Sequence, residues 1–286
     1  MTPAVFAAAD RLSLSTVLWR FPGRIALTWG LTLVETVLLA LLPLFIGWSI
    51  DGLLAGRSDA FFLLTAVLVI LLAVAIARRL YDTRAYGTIR VELGRALAGR
   101  GADNAVSVTN ARVQMGGELV DFLETTAPET LTAVVQIVVS VLLLMSFSPT
   151  LAVSAGAAAL TVILIYGVFS RRFLRINGAL NARLERQVTA LQSAHVGRIA
   201  GHFLGLRRVE VRLSDLESLV YGLIFLVLLS MLAFNLWFAA TRSGASPGQI
   251  FSIVSYSYEF VQASAVLPAA LQALTRLSAI TSRINA

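Results

Sequence analysis

RRFLRINGALNARLERQVTALQSAHVGRIAGHFLGLRRVEVRLSDLE, residues 171–217, carries nine arginines and lies between two long apolar runs, residues 151–170 and 218–240. Each flank is about 20 residues, which as a helix rising 1.5 Å per residue matches the ~30 Å hydrocarbon core of a bilayer. The chain is expected to cross lipid, continue through a long basic segment, and return. Residues 78–125, with seven arginines, repeat that plan at nearly the same length. Two basic excursions framed by spanning runs decide the fold.

Composition agrees. Of 286 residues, 57% are hydrophobic and 14% charged, with a mean hydropathy of +0.81; these values belong to integral membrane proteins. The net charge of +7 comes from arginine alone, since the chain has no lysine. Beside apolar runs, arginines serve topology and anionic headgroups. The loops lack the aromatic–basic interleaving of a single-strand nucleic-acid binder. Without cysteine there are no disulfides, thiolate metal ligands or cysteine nucleophiles.

Six runs are long enough to span: about 25–48, 60–77, 126–147, 151–170, 218–240 and 249–274. Sorted by the segments between them, 21 arginines fall on one side and 2 on the other. The positive-inside rule then puts both termini and both long loops in the cytoplasm, in a bacterial inner membrane. The expected fold is an all-α integral membrane protein with six transmembrane helices and two long cytoplasmic helical extensions. Trp29, Trp48 and Trp237 fall near predicted helix ends, where an aromatic belt or simple packing would put them.

Residues 1–23 are not a secretory signal, for Asp10 and Arg11 interrupt the segment. Leu14, Val17, Leu18 and Phe21 follow helical spacing and predict a short interfacial elbow helix. Residues 24–286 then read as one membrane domain. Tight outer turns are expected at 148–150 and 243–248. Inner tips are expected near 100–110, where Gly99, Gly101, Asp103 and Asn104 favour a bend, and near 194–208. Gly197, Gly201 and Gly205 recur there at four-residue intervals and would cost about 1 kcal/mol each inside a helix. That spacing predicts a turn or short transverse helix.

Four stretches carry a resemblance to the six-helix transmembrane domain of ATP-binding cassette exporters. PLFIGWSID (43–51) resembles the family's helix 1 end. The arginine-punctuated residues 84–100 resemble its descent to the first coupling helix, and GGEL (116–119) the ascent after it. LQALTRLSAITSRI (271–284) resembles the last turns of helix 6, ahead of a nucleotide-binding domain. The resemblance implies a homodimer of twelve helices, alternating access, and coupling-helix tips at 100–110 and 194–208, with His195, Gly197, Gly201, His202 and Gly205 at the second tip. It departs from the pattern in one respect: a Walker A loop needs a lysine, and this chain has none. ATP hydrolysis would require a separate ATPase subunit at the cytoplasmic loops; the other driving force the resemblance allows is a proton gradient.

Glu35 and Glu259 are the candidates for substrate or proton binding. Both are expected near the bilayer midplane, where a carboxylate costs at least ~2.5–3.5 kcal/mol unless paired, protonated or facing a polar cavity. Ser252, Tyr256 and Glu259 share a helix face with Gln262 beside it, which fits a cavity lining or a packed interface between protomers. Glu124 and Glu129 are read as capping or solvating the start of the third span. His195 and His202 stand two helical turns apart, without the neighbours a metal site needs. No cofactor is implied, nor any Ser/His/Asp constellation. Three readings stay open: a carrier driven by a proton gradient, the membrane subunit of an ATPase-driven transporter, and a non-transporting membrane scaffold.

Overall fold

Pro22 has no amide hydrogen to leave unpaired, so it opens a helix at no loss. In the computed structural model, which describes residues 14–100, 106–192 and 195–284, it ends a one-residue break after the elbow α1 (Leu14–Arg20) and begins α2 (Pro22–Leu54). Residues 1–13, part of the expected elbow, lie outside the described residues, as do 101–105 at the first expected tip. The outer turn after α2 passes through Gly56 in the left-handed region (φ 70°). Asp59 then sits in the first turn of α3 (Asp59–Arg100), where a carboxylate suits the helix dipole. At 42 residues, α3 is about 63 Å long and extends far past any hydrocarbon core.

The chain returns through α4 (Val106–Asp121), a π-helical turn (Phe122–Thr126) and α5 (Ala127–Phe147). Ser148, extended and followed by Pro149, caps α6 (Pro149–Glu185) by accepting from the Thr150 amide at 3.3 Å. After α7 (Gln187–Gln192) come α8 (Val196–Thr241) and α9 (Pro247–Ile284). Among the described residues five segments, against the six expected, are long and apolar enough to cross a membrane: Pro22–Leu54, Asp59–Gly99, Gly116–Phe147, Pro149–Leu184 and Val196–Thr241; the run at 249–274 is not among them. The fold is all-α, multi-pass and membrane-embedded.

The second tip differs from expectation. Residues 196–208 contain no turn; they are the first turns of the 46-residue α8. The helix breaks come earlier, at Arg186 between α6 and α7 and at the extended His195 just before α8. Glycines weaken a helix by roughly 1 kcal/mol each but do not break it as proline does, and the flanking residues of α8 carry it through.

Two cores hold the bundle. One is made by α5, α6, α8 and α9 around Leu144, Leu151, Leu228, Ile253 and Phe260. The other joins α1 and the inner halves of α2 and α3 to α4, around Val17, Ile25, Tyr86, Ile89, Leu93 and Leu119. A polar knot ties the first core: Asn235 of α8 donates to Ser257 of α9 at 2.8 Å and accepts from Ser154 of α6. Three helices share one satisfied network, so none of its polar atoms needs water.

Candidate functional site

Arg78, Asp82, Tyr86 and Arg90 recur every four residues and lie along one face of α3. Arg78 reaches across to α2, where its Nε pairs with Glu35 Oε2 and its Nη2 lies 3.5 Å from Oε1. Its Nη1 donates to Asp82 at 3.2 Å. Glu35 is thereby tied to the arginine that marks where the second span leaves the lipid. The carboxylate that the sequence offers as a lone acid is thus paired with a guanidinium of the next helix.

Lower on the same face, Arg90 Nη2 donates to Asp121 and to Glu124, at 2.8 Å each. Glu124 thus holds α3 against the α4–α5 run, while Glu129 is exposed. Between the two ion-pair groups, the Tyr86 hydroxyl donates to the Leu123 carbonyl at 2.8 Å. Leu123 would normally accept from the amide of residue 127. Ala127 instead bonds Phe122, the π register, and the next residue, Pro128, has no amide hydrogen. Tyr86, 1% exposed, satisfies a buried carbonyl that Pro128 leaves without a helical donor.

At the outer end, α2 and α9 approach through small residues. A Cβ on Gly47 would collide with Ser252 Oγ and Gly248 O, and one on Gly248 with Gly47 O and Asp51. Asp51 accepts from the Gly248 amide at 2.8 Å and from the Ser246 hydroxyl. Ser246 and Gln249 also form a reciprocal cap: Ser246 N donates to Gln249 Oε1, and Gln249 N to Ser246 Oγ. Further in, Ser252 Oγ donates to Pro43 O at 2.8 Å, and the Leu44 amide donates to the Tyr256 hydroxyl at 3.1 Å.

The polar residues of α9 therefore divide. Ser252 and Tyr256 are buried against α2. Tyr258 and Gln262 are exposed and bonded to each other, Gln262 Nε2 donating to the Tyr258 hydroxyl at 2.6 Å. Glu259 lies between these faces, with its Oε2 buried and without a hydrogen-bond partner. Glu35 and Glu259 are not brought together: Glu35 is held by Arg78, and Glu259 makes no ion pair among the described residues.

At the second tip, His195 stands exposed just before α8. Gly197 and Gly201 face open space, whereas Gly205 is buried beneath the Arg183 guanidinium of α6. His202 packs edge-on to Phe203 at 5.6 Å. Among the described residues no group of three or more His, Asp or Glu could hold a metal ion.

The charged face of α3 went unread in the sequence, although its four-residue period was visible. So did the S-P-G-Q cap at 246–249.

Residues 14–248, well over half of the chain, match the family model described as the ABC transporter transmembrane region. The match ends at the start of α9. No curated protein matches the chain.

Proposed function

This chain belongs to the ABC transporter transmembrane family, and we propose that it is the membrane subunit of a transporter in which two copies enclose a pathway lined by α9. In this reading α9 crosses the bilayer as the sixth span. The carrying observation is the exposed Tyr258–Gln262 pair beside the unpartnered Glu259. An amide and a carboxylate at that depth are costly against hydrocarbon. A second copy, with water between, gives them a polar surface to face. Alternating access would open that space to each side in turn.

The matched family is a transmembrane region, and a lysine-free chain cannot form a Walker A loop. Energy therefore comes from outside these 286 residues. An ATPase at the inner ends of α3, α4, α6 and α8 fits helices that run so far past the lipid. A second reading, proton coupling, rests on Glu259 alone, because Glu35 is already neutralised by Arg78. The vicinity of an acid and a tyrosine suits an organic cation or a peptide as cargo.

The cysteine-free sequence makes the test direct. Gln262→Cys and Tyr258→Cys, in membrane vesicles, are expected to react with a membrane-impermeant maleimide and to crosslink between copies. Phe260→Cys, in the packed core, is expected to do neither. If the Gln262 and Tyr258 variants stay unlabelled and uncrosslinked, the α9-lined pathway is lost. For the second reading, Glu259→Gln should abolish pH-gradient-driven proton entry into liposomes; unchanged entry removes it.

A further inference from the structure

The elbow α1 and the start of α2 form a groove of about 300 Å³ lined by Leu18, Trp19, Pro22, Ile25, Ala26 and Trp29. Val17, fully buried, anchors α1 to the inner core, and this orientation turns Trp19 outward with 84% of its surface exposed. Arg20 and Arg24, both exposed, immediately flank the lining residues. Apolar floor, protruding indole and adjacent guanidinium groups lie where the elbow meets the first span, the place the positive-inside rule assigns to the inner headgroups. Indoles favour that depth, and arginines there attract anionic lipid.

We propose that this groove is a binding site for an anionic phospholipid of the inner leaflet, one acyl chain lying against Trp19, Ile25 and Trp29 and the headgroup phosphate at Arg20 and Arg24. A zwitterionic lipid could fill the apolar floor equally well, so the arginines make the selection. A bound lipid would tie the elbow to the bilayer and hold α1 against α2. Nothing in this site depends on the transport pathway, which lies on α9.

The chain has four tryptophans; replacing Trp48 and Trp237 with phenylalanine leaves the two in the groove as reporters. That variant is placed in phosphatidylcholine nanodiscs containing a minor fraction of acyl-brominated lipid, either phosphatidylglycerol or phosphatidylcholine. Brominated phosphatidylglycerol should quench at about thirtyfold lower mole fraction, since each of the two basic residues near the surface contributes ~1 kcal/mol. Arg20→Gln with Arg24→Gln should erase that preference while leaving quenching by brominated phosphatidylcholine in place. Raising salt on the arginine-intact protein should weaken the preference as well, which tests the same electrostatics if the double variant fails to fold. Equal quenching by the two lipids overturns the proposal, whether the groove holds bulk lipid or the chain's own residues 1–13. So does a preference that survives both arginine replacement and salt.

Discussion

The two long basic arms are nearly equal in length but differ in charge balance and packing. The α3–α4 arm carries seven arginines against six carboxylates, and the α6–α8 arm nine against four. In the first, Arg78, Arg90 and Arg95 are in ion pairs, and Ile89, Leu93, Leu97 and Leu119 are almost wholly buried. In the second, no ion pair is found among the described residues, and Leu174 and Val196 are 73% and 81% exposed. The first arm packs against α1, α2 and the π turn at residues 122–126. The second leaves more of its apolar surface open, although Leu206, Val209 and Leu216 are buried. Arms matched in length by the sequence thus differ in packing: one is a strut tied by ion pairs, the other a more open surface.

The largest effect should come from cutting into the strut. Leu93→Ala, at a site 1% exposed, is expected to cost about 2–5 kcal/mol, and Leu174→Ala in the other arm less than about 0.5 kcal/mol for the isolated protomer. Denaturant titrations in detergent check both. Equal losses would mean that the second arm is buried after all, and the comparison would fail.

Charge gives the next contrast. Arg78→Ala leaves Glu35 and Asp82, 15% and 14% exposed at the side chain, without their counter-ion, at a cost of roughly 2–3 kcal/mol. Adding Glu35→Gln should restore part of it, and the double-mutant cycle isolates the pair. Arg171→Ala, outside any ion pair among the described residues, should leave stability unchanged. Glycines sharpen the distinction further. Gly248→Ala forces a methyl into the α2 backbone and should cost about 1–3 kcal/mol. Gly201→Ala meets open space and should stabilise α8 by roughly 0.5–1 kcal/mol. Thermal unfolding of the two variants, side by side, reads opposite signs.

Much of this was legible in the sequence, because lipid imposes lengths. Apolar runs of about 20 residues, the Ser148–Pro149 turn and the absence of breakers after Arg78 all follow from local rules. What escaped needed the register between distant segments. Glu35 carries no sign of its partner within its own run; only the α2–α3 alignment brings it to Arg78, 43 positions away. Ser252 and Tyr256 read as a polar stripe, yet Pro43 and Gly47 open the α2 backbone enough to take both inward. The glycines at 197, 201 and 205 suggested a turn, but a helix with long apolar neighbours tolerates them.

The π turn at residues 122–126, which joins the strut to α5, carries the subtlest contrast. Tyr86→Phe keeps the ring in its packed place and removes only the hydroxyl that bonds Leu123 O, so it should cost about 1–2 kcal/mol, the penalty for an unsatisfied buried carbonyl. That penalty exists because Pro128 cannot donate. Pro128→Ala supplies an amide at residue 128, which can reach Leu123 in the π register or release the turn to the α register. Either route gives the carbonyl a backbone donor. In the Pro128→Ala background, Tyr86→Phe should therefore cost almost nothing, and a coupling of about 1–2 kcal/mol should appear in a double-mutant cycle by denaturant titration. A Tyr86→Phe cost that is the same in both backgrounds would mean that the tyrosine acts through packing alone, and that the π turn persists for reasons unrelated to its proline.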